Sequence, residues 1–153
     1  MEITVNRTWR PEMTEDLPVE ELAQFVISQE GKPANTEVSI SFVDDDEMTR
    51  LNEGYRHRQG PTDVLSFECD NLDDDFAADE GADQPYELGD IVIAVDVCER
   101  QTALYGTTFA EELELLITHG LLHLCGYDHI EDDEAAIMES REDELLKAWR
   151  SRK

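Results

Sequence analysis

Residues 108–129 read TFAEELELLITHGLLHLCGYDH, and three of the chain's four histidines fall inside this stretch, at 119, 123 and 129. Thr108 followed three residues later by Glu111 matches a capping box, which predicts a helix starting there. Leu113, Leu116 and Ile117 recur at helical spacing and mark its core face. His119 and His123 are four residues apart, so they share another face with Cβ atoms roughly 5–6 Å apart. Both imidazoles can therefore address one ion. Gly126 stands three residues after His123, where a left-handed backbone would stop the helix. A turn there can carry His129 back over the helix end as a third ligand. Three neutral imidazoles with an open position form the donor set of a catalytic zinc site. One zinc per chain is expected, held by His119, His123 and His129, although such a set also accepts nickel, copper or iron. Cys125 borders the cluster and reads as a small apolar residue on the buried side of the helix.

Working outward, residues 3–9 alternate as a strand, and Leu17-Pro18 opens a helix carrying Leu22, Phe25 and Val26, closed by Gly31. Residues 37–43 (EVSISFV) alternate cleanly, with Val38, Ile40 and Phe42 on one face. Asp44 to Asp46 supply N-cap chemistry for a helix with Met48, Leu51 and Tyr55. The loop HRQGPT precedes a third strand, VLSFEC. Residues 70–87 are acidic and aperiodic and read as a surface loop. The run from Gly89 to Val95 suits a buried strand. Asp96 is expected to cap a helix bearing Val97, Gln101 and Leu104 that ends at Gly106. Acidic residues 131–134 favour the N-terminus of a last helix, whose apolar face is Ile137, Met138, Leu145 and Trp149. These elements predict one α/β (α+β) domain over residues 1–153. Its sheet is mixed and four-stranded, about five helices flank it, and the metal site lies on a helix and the turn after it.

A chain of 153 residues is long enough to bury one core. No apolar run approaches the roughly 20 residues needed to cross a bilayer, and the first residues lack the pattern of a signal peptide. Three separated cysteines argue against a disulfide framework and fit a reducing cytoplasm. The net charge is −26, from 38 acidic against 12 basic residues. Such a surface repels nucleic acid at long range, so any phosphate contact must come from a local basic patch.

The histidine spacing also fits the zinc-peptidase pattern H-E-x-x-H-x-x-G-x-x-H, with one exception. Gly120 stands where those enzymes keep the glutamate that serves as general base. A bound ion there would still activate water and polarise an oxygen. Peptide hydrolysis, with a poor leaving group to assist, is disfavoured.

Two further segments, LNEGYRHRQGPTDVLSF at 51–67 and LGDIVI at 88–93, join HGLLHLCGYDH in one pattern. Together the three motifs resemble the YbeY family of bacterial rRNA-maturation endoribonucleases, over roughly residues 37 to 146 and in the family's order. The acidic IEDDEA at 130–135 adds to the likeness. The resemblance implies a cytoplasmic, metal-dependent, single-strand-specific endoribonuclease that acts in 16S rRNA 3′-end maturation and quality control of the small ribosomal subunit. Implied partners are single-stranded rRNA precursor and the small subunit with its proteins, with neither DNA nor a membrane among them. By position, His119, His123 and His129 match the family's metal ligands and Arg56 its functional arginine; Arg56, His119 and His123 are the implied catalytic residues.

Arg56 could pin a phosphate through its planar fork; the alternative is a solvated cation at a helix end. Arg58 is a second nearby cation, and His57 reads as exposed. Asp128 either orients a ligand imidazole or serves as a turn carboxylate beside Gly126. Thr62, Asp63 and Ser66 either line a groove or serve as turn and strand-edge polar groups. Tyr55 and Tyr127 either stack on unpaired bases or pack in the core. Glu68, where the family commonly has proline, and the acidic loop set charge against RNA. Two other functions remain open at this point: a metallopeptidase-like hydrolase without its glutamate, and a non-enzymatic ribosome-assembly factor with a structural metal.

Overall fold

The computed structural model describes residues 1–68, 86–127 and 131–152. Among these residues four strands, β1 (Glu2–Arg7), β2 (Thr36–Val43), β3 (Val64–Glu68) and β4 (Tyr86–Ala94), form one sheet in the order β1-β2-β4-β3. β1, β2 and β4 run parallel, and β3 pairs antiparallel to β4 at the sheet edge. Among the described residues five helices accompany them: α1 (Val19–Gln29), α2 (Asp45–Arg56), α3 (Val95–Tyr105), α4 (Phe109–Leu124) and α5 (Asp132–Ser151). The α+β architecture and the mixed four-stranded sheet agree with the sequence reading. None of the described helices is long and apolar enough to cross a membrane.

Alternation places Val38, Ile40 and Phe42 of β2 on one sheet face, where they join Ile91 and Ile93 of β4 under α1, α4 and α5. The β2–β4 register shifts between Glu37 and Val38. That extra residue resets the alternation, so Leu88 reaches the same core as Ile91 and Ile93. The opposite face is covered by a smaller cluster in which Met48 and Leu51 of α2 and Val97 of α3 pack on Val43, Leu65, Val92 and Ala94. β4 is thus sandwiched, which is why its sequence is a continuous apolar run.

Several elements depart from expectation in detail. β1 ends at Arg7 rather than at residue 9, because Arg10 turns left-handed (φ 46°) into a short 3-10 turn, Pro11–Met13. Asp96 does not cap α3: the N-cap position is Ala94, and the Asp96 carboxylate instead accepts from Arg10 at 2.7 Å and from the Trp9 indole at 3.0 Å. Long-range charge pairing outcompetes the local cap. Leu104 of α3 and Ile137 of α5 were expected in the core but are 76% and 61% exposed. Val95 and Cys98 bury α3 instead, and Leu146 completes the α5 face with Met138, Leu145 and Trp149. Of the expected acidic loop, Tyr86 and Glu87 belong to β4, where pairing with Thr36 and Glu37 extends the strand. The remainder, with Cys69, lies outside the described residues.

Candidate active site

α4 carries two of the three histidines, and its ends are built as the sequence dictates. Thr108 accepts from the Glu111 amide at 3.1 Å, while Glu111 reaches back to the Thr108 amide at 3.0 Å. This reciprocal cap satisfies two amides that the first helical turn would leave unpaired, and the amide hydrogen bond holds the Glu111 carboxyl below its ordinary range. At the other end Gly126 adopts φ +106°. The Gly126 amide donates to His123 O and the Tyr127 amide to Leu122 O, each at 3.0 Å. These two bonds are a Schellman stop.

Between the ends, Gly120 lets the helix lie against the sheet. A Cβ there would sit 3.1 Å from Cγ2 of Ile91 and 3.3 Å from Oγ of Ser66. The Ser66 hydroxyl donates to the Gly120 carbonyl at 3.2 Å, tying α4 to the edge strand β3. The position that holds the general base in zinc peptidases is therefore a packing surface here, with no room for a carboxylate.

His119 and His123 flank that contact, their rings perpendicular with centroids 4.7 Å apart. Each uses Nδ1 on a protein acceptor. His123 Nδ1 donates to the Tyr127 carbonyl at 3.1 Å. His119 Nδ1 donates to Oε1 of Glu142 at 2.5 Å. In the neutral ring a donating Nδ1 leaves the lone pair on Nε2, the nitrogen a metal would take. The pair therefore fits a borderline-soft divalent ion. His129, the expected third ligand, and Asp128, the expected orienting carboxylate, lie outside the described residues. Among the described residues no three His, Cys, Asp or Glu side chains are grouped to hold an ion.

Glu142 is the residue that sequence reasoning missed. It sits on α5, buried, with only 8% of its side chain exposed. A signal existed: positions 138, 142, 145 and 149 form the buried stripe of this helix, and a carboxylate on such a stripe requires a partner. Tyr127 belongs to the core side of the turn rather than to a base-binding surface. It packs against the main core, and burial together with a hydrogen bond to Glu30 raises its phenol pKa. Cys125 packs beside it, and burial pushes its thiol up to about 11, in keeping with an inert apolar role.

Both histidines open into a cleft of about 870 Å³ whose walls include Tyr55, Arg56, Arg58, Phe67 and Glu68. Tyr55 is 66% exposed rather than part of the α2 core face, and it meets Phe67 edge-on with centroids 5.3 Å apart. His57 caps α2 in a left-handed conformation and is exposed. Asp63 borders the cleft, but its carboxylate is engaged by the Val64 amide at 2.7 Å and by Gln101 at 3.1 Å. It acts as a structural clamp between β3 and α3, and Ser66 is likewise committed to Gly120. Arg56 and Arg58 differ from the other arginines. Arg7, Arg10, Arg50, Arg100, Arg141 and Arg150 each pair with a carboxylate, and Arg152 stacks on Trp149. Among the described residues Arg56 and Arg58 alone have neither kind of partner. In a chain of net charge −26, both unpaired guanidiniums line the histidine cleft.

Comparison with known proteins bears on this arrangement directly. The model of one family, endoribonuclease YbeY, matches residues 5–150. The chain belongs to the endoribonuclease YbeY family. It is 44% identical over 131 residues to the endoribonuclease YbeY of Macrococcus caseolyticus, covering 86% of this chain and 83% of that one. It is 41% identical to those of Oceanobacillus iheyensis over 128 residues, covering 84% and 83%, and of Bacillus velezensis over 131 residues, covering 86% and 83%. The solution structure of TM1509 from Thermotoga maritima superimposes with a TM-score of 0.60 at 26% identity, over 97% of this chain and 92% of that one. The YbeY motifs read from the sequence thus meet in space: the tyrosine-arginine pair ending α2, the β3 edge and the α4 histidines line one cleft.

Proposed function

We propose that this chain is a metal-dependent endoribonuclease specific for single-stranded RNA, acting in maturation of the 16S rRNA 3′ end and in quality control of the small ribosomal subunit. The observation that carries the reading is the meeting of two arginines that have no carboxylate partner with two histidines, each held at Nδ1 by a protein acceptor, in one cleft of an otherwise acidic protein. A surface of this charge repels nucleic acid generally, so recognition is confined to the cleft, and the acidic exterior suits docking onto basic ribosomal proteins. The relatives' names support the ribonuclease activity, and the cytoplasm is the place of action this reading expects.

His119 and His123 would hold one zinc ion through Nε2, with His129 as the third ligand. When bound, the ion supplies Lewis acidity at a non-bridging phosphate oxygen. Arg56 grips the same phosphate through two parallel N–H donors, a geometry lysine cannot offer. Arg58 takes the next phosphate along the strand. Tyr55, braced by Phe67, offers its ring to an unpaired base, which a duplex cannot present. Glu142 and the Tyr127 carbonyl keep both imidazoles turned toward the cleft. Gly120, pressed on Ile91, leaves no general base for peptide hydrolysis.

The test is metal analysis of the purified protein together with cleavage of labelled single-stranded and duplex RNA before and after chelation. About one zinc per chain, with single-strand cleavage that chelation abolishes and zinc restores, is expected. A folded His123→Ala variant that still cleaves, in a preparation free of other nucleases, overturns the proposal.

A further inference from the structure

The cleft is not the only cavity at His119. A second one, of about 280 Å³, shares His119, Asp63 and Val64 with it and runs between α4 and α5. Val64, Leu116, Ala135 and Met138 supply its apolar lining, and Asp63, Glu139 and Glu142 add carboxylates. Among the described residues no arginine or lysine lines it. The two halves of the site therefore have opposite character: the cleft bears unpaired cations, whereas this cavity is apolar with carboxylates.

Phosphate cannot follow the chain into a cation-free, carboxylate-edged space. The neutral part of a nucleotide can. A strand whose phosphate sits between Arg56 and His119 has its adjacent base within reach of the cavity, because the two spaces share the His119 ring. We propose that this cavity seats one unpaired base next to the scissile phosphate, and that Glu139 selects a base bearing an exocyclic amino group over uracil. The inference rests on the ribonuclease reading above.

The chemistry of the edge decides the selectivity. An ionised carboxylate only accepts hydrogen bonds. Adenine, cytosine and guanine each offer an amino group on the edge that a splayed base exposes, whereas uracil offers two carbonyl oxygens around one N–H. The other carboxylates are already used. Asp63 is bound by Val64 and Gln101, and Glu142 accepts from His119 through Oε1. Glu139, exposed and one turn before Glu142 on α5, is the one placed to read the base. The apolar side chains take the base faces, and a paired base must first be unstacked and unpaired to enter, which favours a single strand.

The test uses four single-stranded RNAs that differ only in the base at each position flanking the cleaved bond, with the zinc-supplemented full chain. At one flanking position uracil should lower kcat/KM about tenfold, the worth of one hydrogen bond to a charged acceptor. Glu139→Gln, on the surface of α5, should erase most of that discrimination. Ala135→Phe, filling the cavity from its partly exposed rim, should lower kcat/KM for the adenine, cytosine and guanine strands toward the uracil value. Anisotropy of the same labelled strands, read before turnover, reports the preference without cleavage. Equal kcat/KM for all four bases at every flanking position, with RNA still cut, overturns the base pocket and leaves the ribonuclease reading intact. Absent cleavage overturns that reading, and anisotropy then decides the pocket: a uracil penalty that Glu139→Gln erases supports it, and equal affinities sink it.

Discussion

Replacing Glu142 separates the metal site from the fold around it. Its Oε1 lies 2.5 Å from Nδ1 of His119, and its side chain is 8% exposed against 28% for the histidine. A hydrogen bond between a charged carboxylate and a partly shielded N–H contributes roughly 1.5–3 kcal/mol. In this site that energy fixes which nitrogen of His119 keeps its lone pair, so its loss should surface mainly as weaker ion binding. Groups that orient a ligand histidine typically change metal affinity about 10–100-fold, and each tenfold step is about 1.4 kcal/mol. The two scales agree. Glu142→Gln preserves shape and an acceptor oxygen but removes the charge, so zinc affinity should fall about tenfold. Glu142→Ala also removes the acceptor and frees the ring to turn, so the loss should approach about 100-fold. Competition against a chromophoric chelator measures both, with circular dichroism verifying folded protein and Glu139→Gln as a control. Folded Glu142 variants that bind zinc within twofold of the wild type would refute the role assigned to this contact.

Three other outcomes are expected. Gly120→Glu forces a charge between Ile91 and Ser66 and should cost more than about 3 kcal/mol or prevent folding, whereas Gly120→Ala, crowded by a few tenths of an ångström but gaining helix propensity, should cost about 1 kcal/mol in urea melts; a stable Gly120→Glu protein contradicts the packing argument. Arg56→Ala should keep its thermal midpoint and zinc content while RNA cleavage drops about 100-fold or more, and Arg56→Lys should recover only part of it; full activity in the lysine variant would remove the case for a bidentate grip. Burial, reinforced by the Glu112, Asp63 and Glu99 carboxylates, pushes the Cys98 thiol up to about 12 from 9.0. The folded state holds that proton after the unfolded chain releases it, so the contribution is intact below about pH 9 and declines as pH rises toward 12. Between about pH 8 and about pH 10.5 the wild type should lose roughly 2 kcal/mol more unfolding free energy than Cys98→Ala, and equal losses would count against it.

The parts of the fold that could be read from the sequence are those governed by local rules. The capping box at Thr108, the stop at Gly126, the Asp44 cap of α2 and the alternation in β2 all act within a few residues, and each stands where expected. The misreadings involve partners far along the chain. Asp96 looked like a cap but is claimed by Arg10, eighty-six residues away. Leu104 and Ile137 have the right spacing for a core, yet both stay exposed. Of the site, the histidine pair and Arg56 were legible because spacing and motif carry them. Glu142 was hidden because its partner sits on another helix, although a carboxylate within an apolar stripe was the available clue. The unpaired state of Arg56 and Arg58 was beyond any sequence reading, since it emerges only after the other arginines have found their partners.

The Schellman stop at Gly126 does more than end a helix. The residue that completes its outer hydrogen bond, Tyr127, lends its own carbonyl to the His123 ring. One tight turn thus both terminates α4 and selects a tautomer. For an engineer, the two properties cannot be tuned apart: a substitution that lets the helix run one residue further would rotate that carbonyl away and release the imidazole. Sequence drift at position 126 is then restrained by the chemistry of the cleft, even where the stability lost would be tolerable.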